Sequence, residues 1–360
     1  MISTTTDSLS KGWAIDDEVT RLRRWATDIV YPLLCDDRPR LLIGTAPTCA
    51  IRVHDPSSLT SREHAYLERA DGQWCIVDQS KNGLYLDDQP RERSLLAPGM
   101  EIGLGRHVTL IAESARTIAL RDALARMIGW SAGRAESIDH ALRMLRMAAM
   151  RRAIFVFCGE PSLVPLAEEL HRLTLTEQRP FVLCDPRHAS EDTERFTRRA
   201  TSGLTAIAQA VDGTVCIDDG RRPPDLVETL DAWRRPGCTA RLMVLARNAR
   251  KADVYTPVPV VIPPLRSRRE EMERLIMEYE AEAVQRLGIE AVELTPVQRS
   301  WIRERASETL PDLQKAVLRL LAIRHAGSIA GAAALLRMSH MGLGRWLERR
   351  RFRPDVVAAP

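Results

Sequence analysis

The segment SSLTSREHAYLERADGQWCIVDQSKNG, residues 57–83, decides how the first part of this chain folds. Two polar clusters, SREH at 61–64 and SKNG at 80–83, enclose residues that favour β-strands. Strands carry such clusters in loops at one end of a sheet, where side chains converge on a ligand. Hydroxyl, guanidinium, ammonium and amide groups are the donors that a phosphate needs, because each gives a charge-assisted hydrogen bond. The segment therefore predicts a pair of loops that bind phosphate.

The length and composition limit the classes of protein to which the chain could belong. Its 360 residues are enough for two or three domains, and 45% hydrophobic with 28% charged residues is typical of a soluble protein. The net charge of +4 is too small to indicate nucleic-acid binding by itself, although the C-terminal tail is locally basic. The seven cysteines lack metal-ligand spacing, and no apolar run resembles a signal peptide or a membrane span. These features predict a cytoplasmic protein with no metal and no membrane partner.

Residues 31–113 read as a series of short strands separated by turn signals such as Asp71-Gly72 and Pro98-Gly99, which predicts an all-β sandwich. A short helix is expected before it, over residues 16–25. Gly44, SRxH at 61–64, Asn82-Gly83 and the LxPGxEIxLG pattern at 96–105 occur in the order typical of a forkhead-associated (FHA) domain, which residues 31–113 resemble.

The resemblance to FHA domains implies phosphothreonine recognition. It places Ser61 and Asn82 on the phosphate and the peptide backbone, with Arg62 and Lys81 facing the ligand beside them. Its structural positions are Gly44, Gly83 and His64, the last of which braces the loop from inside.

The chain departs from the FHA pattern at Thr45, where family members usually carry an arginine. Losing a charge-assisted bond of about 1.5–3 kcal/mol would weaken binding roughly ten- to a hundredfold. Lys81 or Arg52 is the candidate replacement, although a lysine offers no bidentate fork. The alternative is a retained fold whose ligand site has become a protein-docking surface.

Strands and amphipathic helices then alternate, which predicts a parallel α/β sheet over residues 136–266. FCGE at 157–160, DGTVCIDD at 212–219 and IPPLRSRREEM at 262–272 resemble the AAA+ module of sigma-54-dependent transcription activators. However, Pro165 stands where a phosphate loop needs lysine, and the later loop glycines are Ser162 and Val164. We therefore expect a degenerate module with no catalytic residue and no cofactor, so the chain is not expected to be an enzyme.

The C-terminal residues carry a helix pair. Ser328 and Ser339 are predicted helix caps on either side of a tight turn, and the pattern resembles the Fis-type helix-turn-helix of the same activators. That resemblance places three residues on the bases of double-stranded DNA and three near its phosphates: His340, Met341 and Gly342, then Arg345, Arg349 and Arg350. An apolar stripe over residues 310–321 could be core or the seam of a homodimer.

Together these features predict a multidomain fold: an all-β FHA sandwich, then α/β with a parallel sheet, then an all-α helix-turn-helix. The predicted segments are an N-terminal extension (1–30), the FHA domain (31–113), a linker (114–135), the degenerate AAA+-like domain (136–266), a helical lid-like segment (267–312) and the helix-turn-helix (313–354). The predicted function is a non-catalytic transcription regulator that docks a phosphothreonine-containing protein and binds DNA. A protein-interaction scaffold without DNA binding is the alternative, and an active ATPase is a third class.

Overall fold

The computed structural model describes residues 13–34, 40–151, 153–159, 163–175, 178–187, 197–256 and 258–352. The chain divides into two compact units. The first unit comprises Met1–Phe157 with Ala167–Val260, and the second comprises Cys158–Leu166 with Val261–Pro360.

The first unit begins with a β-sandwich, as predicted. Its strands are β1 (Val19–Arg24), β2 (Val30–Pro32), β3 (Leu41–Gly44), β4 (Ile51–Arg52), β5 (Ala65–Ala70), β6 (Gln73–Asp78), β7 (Leu84–Leu86), β8 (Gln89–Pro90), β9 (Arg93–Leu95), β10 (Glu101–Leu104) and β11 (Val108–Ser114). One sheet has the order β2-β1-β11-β10-β7-β8 and the other has the order β4-β3-β5-β6-β9. Alternate side chains from both sheets fill the core, among them Leu22, Ile43, Leu67, Ile76, Ile102 and Leu110.

The predicted helix over residues 16–25 is wrong. These residues form β1, which pairs antiparallel with β11 from Val19 opposite Ser114 to Arg24 opposite Leu110. The charged residues of this segment suit a helix surface, but the backbone edge of β11 supplies cross-strand hydrogen bonds that no local pattern reveals. The sandwich consequently begins at Val19, inside the predicted N-terminal extension.

Two helices follow the sandwich, α1 (Ala115–Ile128) and α2 (Ala135–Arg151). The first begins at a capping box between Ser114 and Thr117, so the predicted linker is mostly a buried helix. A buried ion network attaches α2 to the sandwich. The Arg23 guanidinium donates to Asp139 at 2.8 and 2.6 Å and to Glu113 at 2.6 Å.

The predicted parallel α/β region follows. Its strands are β12 (Phe155–Cys158), β13 (Phe181–Cys184), β14 (Thr197–Ala200), β15 (Thr214–Asp218), β16 (Arg241–Ala246) and β17 (Val260–Val261). The sheet order is β14-β13-β15-β16-β12-β17, and β13 pairs in parallel with both β14 and β15. The helices of this region are α3 (Val164–Thr174), α4 (Gly203–Gln209), α5 (Leu226–Arg234) and α6 (Ala249–Ala252). The central strands are almost entirely buried and mostly apolar, which is the pattern of a sheet covered on both faces.

The described part of the second unit contains the helices α7 (Met272–Leu287), α8 (Pro296–Arg305), α9 (Leu310–Ala326), α10 (Ile329–Leu335) and α11 (His340–Arg349). Ser328 and Ser339 cap α10 and α11 as predicted, accepting the N–H groups of Gly331 and Gly342. Leu313, Leu320 and their apolar neighbours on α9 are buried within the chain. The apolar stripe is therefore core, and the homodimer predicted through it has no support from these residues.

Within the described residues, no single helix has the length and apolar character to cross a membrane. The bent pair of α9 and α10, which meet at 120°, satisfies the criterion for a membrane span only by its combined length and composition.

Candidate functional site

The two polar loops come together at one end of the sandwich, before β5 and before β7. The Ser61 hydroxyl accepts the backbone N–H of Lys81 at 3.4 Å. The Asn82 amide donates to the Leu59 carbonyl at 2.6 Å. The structure thus brings Ser61, Arg62, Lys81 and Asn82 into one region, as the sequence predicts.

His64 joins the two loops from inside the sandwich, where it is fully buried. Its Nδ1 accepts the backbone N–H of Ser61 at 3.1 Å, so Nε2 carries the proton and donates to the Gly83 carbonyl at 3.1 Å. Burial lowers the pKa of His64, which keeps the ring neutral. In a protonated ring, the Nδ1–H group would face the Ser61 N–H group and no hydrogen bond could form between them. The loop geometry therefore requires a neutral His64.

Two glycines permit these contacts. A Cβ on Gly44 would lie 2.2 Å from the carbonyl oxygen of Arg62, so only glycine lets the loop cross β3 here. Gly83 has a φ of +82°, in the left-handed region, and its carbonyl accepts the Gly105 N–H at 3.0 Å as well as the His64 ring. Both glycines therefore have a structural reason in this fold: Gly44 admits the crossing loop, and Gly83 takes a positive φ.

Asp55 organises the start of the first loop, and the sequence interpretation missed it. Its carboxylate accepts the N–H groups of Ser57, Leu59 and Thr60 and the Ser57 hydroxyl. Although burial alone would raise the pKa of Asp55, these bonds hold it well below its ordinary value. The pattern DPSS at 55–58 is a local signal for such a turn, since Asp side chains bond backbone N–H groups two residues on.

Exposed cationic side chains lie on and beside the two loops, together with one exposed carboxylate, Glu63. Arg52, Arg62 and Lys81 are all exposed, and none forms an ion pair within the part of the chain that the structure describes. Arg106, on the β10–β11 turn, lies over the Tyr85 ring at 5.6 Å. Guanidinium and ammonium groups that form no ion pair with the protein are available to attract a phosphate.

The sequence also predicts the remnants of a nucleotide site in the α/β region. Glu160, Pro161 and Ser162 of the degenerate phosphate loop lie outside the described residues. Asp218 accepts the Gly220 N–H as a helix cap, while Asp219 accepts Arg222 Nε at 2.6 Å and the Tyr255 hydroxyl at 3.0 Å. Across the described ranges, no group of three or more His, Cys, Asp or Glu side chains could hold a metal ion.

The predicted DNA-binding residues lie on α11, except Arg350, which follows its last residue. His340 and Met341 are exposed at its first turn, where Gly342 donates its N–H to the Ser339 cap, and Arg345 and Arg349 are exposed further along. Arg350 differs, because it is only partly exposed. It forms an ion pair with Asp312 on α9 and lies over the Trp346 ring of α11 at 5.1 Å, so it links the end of α11 to α9.

Comparisons with known proteins bear on the sandwich. The FHA domain family model matches residues 41–105. Over 81 residues the chain is 35% identical to an oxoglutarate dehydrogenase inhibitor of Corynebacterium diphtheriae, covering 22% of this chain and 55% of that protein. The chain thus spans about half the length of this curated relative.

Two solved structures also resemble this part of the chain. The N-terminal FHA domain of S. cerevisiae Rad53p in complex with a phosphothreonine peptide is 23% identical, with a TM-score of 0.24, over 28% of this chain and 96% of that one. Mycobacterium tuberculosis EmbR in complex with a low affinity phosphopeptide is 24% identical, with a TM-score of 0.24, over 27% of this chain and 25% of that one. The family match and the sandwich topology agree: residues 41–105 form an FHA domain.

Proposed function

We propose that this chain is a non-catalytic cytoplasmic regulator that docks a phosphothreonine-containing protein segment through its FHA domain and holds double-stranded DNA through α10 and α11. Phosphothreonine docking is supported by the way the loops at 61–64 and 80–83 are joined to each other. Ser61 and Asn82 are held in place by Lys81 N–H, Leu59 and the buried His64 ring, and they are flanked by exposed cationic side chains without ion-pair partners among the described residues. This arrangement provides preorganised donors for a dianion.

Binding of phosphothreonine peptides by the full chain tests this part. A degenerate phosphothreonine peptide library should bind, and the same library without phosphate should not. Ser61→Ala and Asn82→Ala should each weaken binding about tenfold to a hundredfold, because each removes a bond to the charged ligand. Ser94→Ala, on β9, is the matched control and should bind as the wild type does. Equal binding of phosphorylated and unphosphorylated peptides would instead support the plain docking surface.

DNA binding is the second part of the proposal. It is supported by the exposed first turn of α11 and by the exposed guanidinium groups of Arg345 and Arg349. The measured affinity for duplex DNA should fall with salt concentration. Arg345→Gln or Arg349→Gln should each reduce the salt slope by about 1. Arg286→Gln, an exposed arginine near the end of α7, is the control. Absence of binding to duplex DNA at low salt would contradict this part.

The alternative, a protein-interaction scaffold without DNA binding, is favoured by the two glycines of α11. Gly342 and Gly344 each cost a helix about 1 kcal/mol relative to alanine, which suits a helix under weak selection for readout. Under this alternative, partners are captured from a lysate after DNase treatment, and the arginine variants of α11 behave as the wild type does.

We further propose that the α/β region does not hydrolyse nucleotide. Its role is to hold the FHA domain and the C-terminal helices apart or to transmit a signal between them. Pro165 supports the absence of hydrolysis, because it stands where a phosphate loop needs a lysine to reach the phosphates, and the Oδ1 atom of Asp219 accepts hydrogen bonds from Arg222 and Tyr255. Thermal unfolding with and without ATP and Mg²⁺ tests it, and the midpoint should not move. A clear stabilisation by the nucleotide would contradict it.

A further inference from the structure

The pairing of β3 with β4 determines which side chains lie beside the phosphate-binding loops. The two strands are parallel, with Ile43 opposite Ile51 and Gly44 opposite Arg52. Ile43 and Ile51 are both buried in the core of the sandwich. Because successive residues of a strand point to opposite faces, Gly44 and Arg52 share the face that points away from the core.

The first phosphate-binding loop crosses that same face. A Cβ built on Gly44 would lie 2.2 Å from the Arg62 carbonyl oxygen and 2.9 Å from that of Ser61. Neighbouring strands lie about 4.8 Å apart, so the backbone of Arg52 is one strand away from the point where the loop crosses. An arginine side chain is long enough to reach from there to a group bound at Ser61.

The charge of Arg52 is available for such a group. Its side chain is exposed, and it forms no ion pair with any residue in the described ranges. The nearest acidic side chain along the chain, Asp55, already accepts hydrogen bonds from its own loop. Arginine also presents a planar fork of donors that matches phosphate, which the Lys81 ammonium does not.

We propose that Arg52 contributes the guanidinium that contacts the phosphate in this FHA domain and so takes over the role left open by Thr45. This inference rests on the proposed function, because it names a ligand-contacting residue of that same site. Thr45 itself is half-buried and donates its backbone N–H to the Ser61 carbonyl at 3.2 Å, so it positions the loop without supplying charge.

The test measures binding of a phosphothreonine peptide, selected with the wild-type full chain, to four variants. Arg52→Gln should weaken binding about tenfold to a hundredfold, and Arg52→Lys should lie between it and the wild type. Arg40→Gln, which precedes the end of β3 opposite to Gly44, is the control and should stay within about twofold, because Arg40 is exposed and pairs with Glu68. The double variant Arg52→Gln with Thr45→Arg should recover most of the lost affinity.

The outcomes separate the inference from the function on which it rests. If the wild type binds and Ser61→Ala does not, while Arg52→Gln binds as tightly as the wild type, the role of Arg52 is refuted and phosphopeptide binding stands. If the wild type binds no phosphopeptide, the proposed function itself fails. If Arg40→Gln weakens binding as much as Arg52→Gln does, the effect is general surface charge, and the specific contact is refuted.

Discussion

Replacing His64 with alanine removes the side chain that links the two phosphate-binding loops. The variant loses the bond that Ser61 N–H donates to Nδ1 and the bond that Nε2 donates to the Gly83 carbonyl, both at 3.1 Å. It also leaves a space where a fully buried ring stood. Because both loops depend on this ring, the change should act on stability and on ligand binding together.

The magnitude follows from these two bonds. A buried donor or acceptor left without a partner costs about 1–3 kcal/mol, and water entering the vacated space reduces that penalty. We therefore expect the FHA domain to lose about 2–4 kcal/mol of stability, with the cavity adding to the upper end. Binding of a phosphothreonine peptide should also weaken by more than tenfold, because Ser61 and Asn82 no longer share a fixed geometry.

Amide hydrogen exchange in the intact chain is the assay, since it reports stability residue by residue in a protein of several domains. Protection at the amides of β3 and β5 should fall about thirtyfold to a thousandfold, the equivalent of 2–4 kcal/mol. His54→Ala, an exposed histidine in the segment that leads to the first loop, is the matched control and should leave protection unchanged. Unchanged protection in His64→Ala, with unchanged peptide affinity, would refute the bracing role.

The same ring gives a pH dependence with a definite sign. Its folded pKa is lowered from an ordinary value near 6.5, so the unfolded chain binds the proton more readily. The contribution of His64 is therefore complete above about pH 6.5 and decreases as the pH falls below that value. In His64→Ala this part of the acid sensitivity should be absent.

Other side chains give further predictions. Asp139→Asn should lower the stability of the first unit by about 3 kcal/mol, because the buried Arg23 guanidinium loses a charged partner. Asp28→Asn, on the surface, is the control and should lower it by under about 1 kcal/mol, and thermal unfolding compares the two variants. Burial lowers the pKa of His171 to about 3, so the stability of the first unit should fall as the pH drops from about 6.5 towards 3. In His171→Asn, the midpoint of thermal unfolding should depend less on pH over this range. Ser339→Ala removes the cap of α11 and should cost about 0.5–2 kcal/mol, measured by exchange at the amides of that helix, with weaker DNA binding as a consequence.

The FHA domain could be predicted from the sequence because its signals are local and have fixed spacing. Gly44 is needed where a loop crosses a strand, and Gly83 is needed where the backbone takes a positive φ. Strand-forming residues and turn signals predicted most of the sheet strands for the same reason. The caps Ser328 and Ser339 were also predictable, since a side chain that accepts an N–H three residues on is encoded within one turn.

Long-range pairing decided the rest. Val19–Arg24 is a strand because β11 and β2 pair with its two edges, and nothing in its own composition records the distant partner β11. Arg350 is predicted near DNA phosphates, and only the packed helices show that it forms an ion pair with Asp312 on α9.

Local sequence patterns were sufficient to predict the type of the first domain and the polar residues of its loops, since both depend on neighbours a few positions apart. Which distant groups meet could be read only from the packed fold: His64 bonds to Gly83, Arg52 shares a face with Gly44, and the apolar stripe of α9 lies in the core. These contacts join residues that are far apart in the chain, so they exist only once the sheets and helices have packed.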